Sequence, residues 1–266
     1  MPAPSISRVP TRNAVVVAAL RCALALLPLT ACGAPTPPET GSTMATSSSS
    51  VPGAQAALER AIDADDAAAI GVALAAGAHV DARGPHDVTP LMAAVDRQKP
   101  RAVDALLHAG ADTKLVAADG AGAVSLAVEN YRAGPAGPAI MKAVLEAGGD
   151  PNTIRPNGDP VIMKFVRARD CDALRLMKRA GANLDAVDRG RDPIITKAAV
   201  AMDWDVVWCL IELGARYDYE HGGARLPLSE SLANKAPSPS SPIYAYKKKV
   251  WQLLKDHGVA LSPLPQ

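Results

Sequence analysis

The sequence predicts an all-α solenoid of about six helix-turn-helix units joined by inter-repeat turns. Three observations carry that expectation. Gly recurs at Gly77, Gly110, Gly148, Gly181, Gly214 and Gly258, at intervals of 33, 38, 33, 33 and 44 residues. Each of these glycines ends an apolar stretch of helical period, and self-similarity at such a period marks stacked supersecondary units. The chain is 48% hydrophobic but only 3% aromatic, so Ala, Leu and Val must fill the interior, as thin stacked layers allow.

The second helix of each unit is the clearest element. Its copies read AIGVALAAG, AVDALLHAG, IMKAVLEAGG, ALRLMKRAG, VVWCLIELG and VWQLLKDHG. Seven residues before each Gly stand Ile70, Val103, Met141, Leu174, Val207 and Trp251; four before stand Ala73, Leu106, Val144, Met177, Leu210 and Leu254. The two columns keep i, i+3 spacing and define one buried stripe. The Gly itself fits the C′ position, where a left-handed backbone is needed. A first helix starts about 21 residues before each Gly, at Thr89-Pro90-Leu91, Asp159-Pro160-Val161 and Asp192-Pro193-Ile194. Thr or Asp there can cap the helix, with Pro at N1. The first, third and sixth units lack such a cap, having Ala56, Gly122-Ala123-Val124 and Leu226-Pro227-Leu228 in that slot. Asp81, Asn152, Asp185 and Asp218 follow the Gly by four residues, where a turn is needed.

Two short helices and a turn every 33 residues, with TPLMAAV and GAD, resemble the ankyrin repeat over about residues 54–262. Residues 263–266 form a tail. The His that this family places after Thr-Pro-Leu is absent, Met92, Ser125, Ile162, Ile195 and Ser229 standing there. Inserts fall at 133–139 and 233–244. The resemblance implies a curved, monomeric stack, since one unit cannot bury its own apolar face. A half-length first unit and the Lys247-Lys248-Lys249 helix are expected as its polar ends.

The N-terminus reads as an address. Arg8 and Arg12 precede an apolar run broken by Arg21, which ends in Leu29-Thr30-Ala31-Cys32-Gly33. That arrangement describes a secretory signal over residues 1–31, and it resembles a bacterial lipobox. The resemblance implies lipidation of Cys32 and a membrane attachment through that lipid. Several acyl chains on one residue give stable anchoring where one does not. The apolar run is short and charge-broken for a membrane span. Gly33 and Ala34 favour the periplasmic face of the outer membrane over the inner membrane. Residues 32–53, rich in Pro, Ser and Thr, read as a flexible tether.

Little in the chain points to chemistry. With 28 Lys+Arg against 27 Asp+Glu, the balance argues against a nucleic-acid partner. No phosphate loop, Cys-x-x-Cys, His-Glu-x-x-His or Gly-x-Ser-x-Gly occurs, so no cofactor, metal or catalytic residue is expected. His108 and His257 fall in last helical turns, where a cation suits the helix dipole. Cys171 and Cys209 occupy different slots in adjacent units. At an inter-helix distance of ~8–10 Å they read as a half-exposed free thiol and a small core residue, not a disulfide.

The expected function is therefore protein binding. In the ankyrin family the inter-unit tips and the inner face of the first helices make the contacts. The later tips carry Arg155, Arg189, Arg191 and Arg225, with Tyr217, Tyr219 and His221 beside them, and Arg167 lies on a first helix with Arg97 and Asn130. Arg and Tyr are common interface anchors. Residues 54–152 carry a net charge of −5 and residues 155–197 one of +4, which would orient a partner. Periplasmic ankyrin lipoproteins that this chain resembles include immunity proteins against secreted antibacterial toxins, notably phospholipase effectors. The alternative is an accessory or scaffold role for envelope or oxidative-stress enzymes.

Overall fold

In the computed structural model, residues 52–217, 228–233 and 237–264 are described. The signal, Cys32, the tether up to residue 51, Asp218, Tyr219, His221 and Arg225 lie outside them, and Pro52 and Gly53, expected in the tether, are helical. Among the described residues, twelve α-helices follow one another in pairs. They are α1 (Pro52–Asp63) and α2 (Ala67–Ala75), α3 (Pro90–Asp96) and α4 (Pro100–His108), α5 (Ala123–Glu129) and α6 (Gly137–Glu146), α7 (Met163–Arg167) and α8 (Cys171–Arg179), α9 (Ile194–Val200) and α10 (Trp204–Glu212), and α11 (Leu228–Ala233) and α12 (Pro242–Asp256). First helices pack on first helices (α1 on α3, α3 on α5, α7 on α9, α9 on α11), and second helices pack on second helices (α2 on α4, α4 on α6, α8 on α10, α10 on α12). None of these helices is long and apolar enough to cross a membrane.

The two predicted columns form the core. Ile70, Val103, Met141, Leu174 and Val207 are fully buried, as are Leu106, Val144, Met177 and Leu210, with Ala73 and Leu254 nearly so. The register slips only in the last unit, where Val250 is buried and Trp251 is half-exposed, its indole N–H donating to Ser262 O at 3.0 Å. All six repeat glycines have positive φ, between 79° and 96°, as the C′ position requires.

The first helices depart from expectation in instructive ways. Thr89 caps α3 by accepting the Met92 N–H at 3.3 Å. Asp159 and Asp192 do not cap. Pro160 and Pro193 are instead held in antiparallel bridges to Ile154 and Val187, which delays the helices to Met163 and Ile194. The two carboxylates turn to cations, Asp159 to Arg167 at 3.0 Å and Asp192 to Lys197 at 2.8 Å. The third unit finds a cap that sequence does not show: the Ser125 hydroxyl accepts the Gly122 N–H and donates to Gly122 O, both at 2.9 Å. The first unit is not half-length, since α1 runs 12 residues and is followed by the nine-residue α2.

Polar ties between units complete the stack. The post-glycine Asp and Asn residues serve the next unit. Asp81 accepts the Asp112 N–H at 2.9 Å, Asn152 the Asn183 N–H at 2.7 Å and Asp185 the Arg216 N–H at 2.7 Å. At the opposite end, the turn between first and second helix reaches forward. Asp65 accepts the Ala102 N–H at 2.8 Å, Arg132 pairs with Asp170 at 2.7 Å, and Arg169 pairs with Asp205 at 2.7 Å and Asp203 at 3.4 Å. Asp65 lies twelve residues before its Gly and Ala102 eight before its own; Arg169 lies twelve before and Asp205 nine. Successive second helices are therefore offset by about one turn.

That offset corrects the cysteine expectation. Cys171, ten residues before its Gly, meets Cys209, five before its own, and the two form a disulfide with Cα atoms 6.2 Å apart. Helix axes ~8–10 Å apart bring facing Cα atoms much closer, because each lies ~2.3 Å off its axis. The bond closes a 38-residue separation and fastens unit four to unit five.

Two outcomes follow from this packing. Units one, two, four and five have Ala where the third has Gly149, yet a Cβ at Gly149 would stand 2.6 Å from Val124 Cγ2 and 2.8 Å from Val144 O. The repeat-matching Gly149→Ala should therefore destabilise by ~1–3 kcal/mol through overpacking, read as a lower urea midpoint. Reducing the disulfide, or Cys171→Ser with Cys209→Ser, should cost ~2–4 kcal/mol, measured by urea unfolding with and without a thiol.

Candidate partner-binding face

The inter-unit tips of units three to five are tight hairpin turns of one design. Ala117 donates its N–H to Ala121 O at 2.8 Å, Arg155 to Asp159 O at 2.9 Å and Asp188 to Asp192 O at 2.9 Å. Three residues into each turn stand Gly120, Gly158 and Arg191, with φ of 82°, 84° and 66°. Arg191 thus adopts the left-handed conformation that Gly takes in its neighbours, at a cost of ~1–2 kcal/mol for a residue with a Cβ.

The tips also touch one another. A Cβ at Gly120 would lie 3.6 Å from Pro156 Cγ, and one at Gly158 would lie 3.4 Å from Arg189 Cβ. Ala118 donates its N–H to His86 O at 2.9 Å, and the Arg83 guanidinium donates to Val116 O at 3.2 Å. The layer is therefore continuous from the second unit to the fifth, and His86 holds it through its carbonyl.

Side chains on this frame fall into two groups. Arg155 is half-buried and pairs with Glu129 at 2.5 Å, which also takes the Lys164 ammonium at 2.7 Å. Arg167 pairs with Asp159, and Asp159 also accepts the Arg189 N–H at 3.3 Å. On the first helices, Arg97 pairs with Asp63 at 2.6 Å and the Asn130 amide donates to Asp96 at 3.2 Å. Arg155, Arg97 and Asn130 therefore hold neighbouring units together, while Arg167 pairs within unit four with the Asp159 that takes the Arg189 N–H of unit five. Arg189 and Arg191 are exposed, and among the described residues neither side chain has an ion pair. Tyr217 stands apart from the tips: its hydroxyl lies 3.1 Å from His257 Nε2 and the rings meet edge to face. His257 Nδ1 lies 2.8 Å from Leu253 O, so Nδ1–H donates there and Nε2 accepts from Tyr217.

Beneath Arg189 and Gly190 an open groove of about 390 Å³ is lined by Met163, Val166, Arg167, Lys197 and Asp203. Lys197 organises it, pairing with Asp188 at 3.0 Å and Asp192 at 2.8 Å. Burial pushes the Asp188 carboxyl up. The N–H donors of Asp192 and Gly190 and the Lys197 ammonium outweigh it and hold Asp188 below the usual carboxylate range. Bonds to Asp192 and Asp188 raise Lys197 in turn. Burial raises Asp203, against Arg169. No group of His, Cys, Asp and Glu suited to a metal occurs among the described residues.

The C-terminal end corrects one expectation. Lys247 is not part of a polar end surface. It is 1% exposed, its ammonium lies 5.5 Å from the Trp204 ring centre, and burial lowers its pKa. Lys248 and Lys249 do face outward, over Tyr244 at 5.0 Å and Trp208 at 5.2 Å.

Paired helices, hairpin tips and a shared core define a helical repeat solenoid. Among solved structures, the chain is similar to the ankyrin repeat domain of Bcl-3, described as a unique member of the IkappaB protein family. The match has a TM-score of 0.54 and 22% identity, and it covers 60% of this chain and 70% of that one. The fold is thus an all-α ankyrin-repeat solenoid. No protein-family model matches the chain, and comparison with curated proteins gives no match.

Lys197→Met tests the groove. The raised Lys197 contributes stability below about pH 10.5, and the lowered Asp188 contributes it above about pH 4. The variant should lose on the order of 1 kcal/mol between those limits, allowing for the exposure of the ammonium. The difference should vanish on acidification below that window and on alkalinisation above it. Urea midpoints measured across pH check both limbs.

Proposed function

We propose that the protein is a non-enzymatic binding module, tethered in the bacterial envelope through a lipid on Cys32, that recognises a partner protein through its tips and first-helix face. The observation that carries this reading is the continuous tip layer of units three to five, which presents Arg189 and Arg191, exposed and without ion pairs among the described residues, on a packed frame. Loops held by a scaffold are where binding residues concentrate. The Cys171–Cys209 disulfide supports export, because such bonds persist in oxidising compartments and are rare in the cytosol. Tyr219, His221 and Arg225, which lie outside the described residues, are included in the proposed face on their sequence position before the sixth unit. Within this reading the partner is a secreted antibacterial effector of phospholipase type, and the protein is its immunity factor on the periplasmic face of the outer membrane.

Two measurements test it. Cells fed a radiolabelled fatty acid should label the wild-type chain, and Cys32→Ser should abolish the label and release the domain from the membrane fraction. A deletion strain should lose viability against an isogenic attacker. The wild-type gene should restore survival, and Arg189→Glu with Arg191→Glu should fail to restore it at equal protein level. Full protection by that variant would remove these residues from the site, and equal survival of the deletion strain would remove the immunity role.

A further inference from the structure

Exposed large apolar side chains are few, and three of them share one slot. Val116, Ile154 and Val187 are 48%, 58% and 47% exposed. Each makes the antiparallel bridge at the base of its tip, to Gly122, Pro160 and Pro193. Neighbouring tips lie close to one another, with Pro156 beside Gly120 and Arg189 beside Gly158 and the Arg189 N–H on Asp159, so the three side chains stand in a row, one per unit. Scattered exposed apolar residues are ordinary, whereas a contiguous row rimmed by polar groups marks an interaction surface.

Charge gives the row a direction. At the unit-five end stand the Arg189 and Arg191 guanidiniums, two residues and four residues beyond Val187. The acids of that tip do not oppose them, because Asp188 and Asp192 both turn to Lys197. Arg191 places its cation at the tip in a left-handed conformation that Gly would adopt without strain. At the unit-three end the tip carries an acid, Asp119, which accepts the Ala121 N–H at 2.9 Å. The surface is thus aliphatic along its length and positive at one end.

We infer that this row binds an acidic linear segment of the partner protein, with aliphatic side chains laid on Val116, Ile154 and Val187 and carboxylates on Arg189 and Arg191. The inference rests on the binding-module reading and gives it a partner chemistry. The aliphatic contacts supply the hydrophobic part of the affinity, and the carboxylates set the orientation of the segment.

The test uses the full chain and a displayed library of random 16-residue peptides. Wild-type protein should enrich peptides that combine Asp or Glu with Leu, Ile or Val. Affinities of individual winners, measured as synthetic peptides, should fall at least ~10-fold on Arg189→Glu with Arg191→Glu, the scale expected for close charge pairs at an interface. They should also fall on Ile154→Ser with Val187→Ser, and change less than ~2-fold on Lys248→Glu with Lys249→Glu, which alters exposed cations away from the tips. Circular dichroism and the urea midpoint of each variant report its folding. Winners without acidic enrichment, or winners that bind the Arg189→Glu, Arg191→Glu variant as well as wild type, would overturn the partner chemistry and leave the module reading standing. An empty selection would overturn the linear segment, and the survival assay above would still decide the module.

Discussion

The structure depends on the fact that no single unit can bury its own apolar stripe. A helix pair such as α3 and α4 has Leu91, Val95, Val103 and Leu106 fully buried only because units lie on both sides. Ala at many of the facing positions lets successive layers approach closely, and close approach brings side chains of one unit to backbone N–H groups of the next. Asp81, Asn152 and Asp185 take such N–H groups at a constant separation of 31 residues. For these N–H groups the neighbouring unit supplies the acceptor. Stability of this kind is a sum over interfaces and not a property of one core.

This dependence explains what could be read from the sequence. The stripe columns were legible because they are a property within one helix. The glycines were legible because a left-handed position admits few residues. What lies between units was not. The Asp and Asn after each Gly have a visible position, but their acceptor role appears only when the next unit is beside them. Asp159 and Asp192 look like caps in a single unit, and Arg167 and Lys197 draw them elsewhere. The cysteines failed as a pair because same-slot comparison ignores the one-turn offset of successive second helices. Lys247 reads as surface within a triplet of lysines, yet it lies three residues before Val250 and seven before Leu254, on the buried side of α12.

The same reasoning sorts the basic residues of the candidate face. Arg155, on a tip, and Arg167, on a first helix, both have internal acids. Arg189 and Arg191, on the unit-five tip, are of the same residue type and have none among the described residues. Tyr217 serves the contact with α12 through His257. No periodicity separates these cases, because each acid lies on another element.

Two of the strained residues in the turns obtain bonds across unit boundaries. Asp65 and Arg169 have φ of 53° in the turn between first and second helix, where Gly would be relaxed. Each obtains a bond across a unit boundary in return, Asp65 to the Ala102 N–H and Arg169 to Asp203 and Asp205. A local cost of ~1–2 kcal/mol is thereby offset by a charge-assisted interaction that Gly could not make. Arg191 carries the same kind of strain, with φ of 66°, and its guanidinium has no internal ion pair among the described residues. Strained residues are held by their surroundings and cluster where binding occurs. On the binding reading proposed above, the exposed Arg191 guanidinium is the group that a carboxylate of the partner would meet.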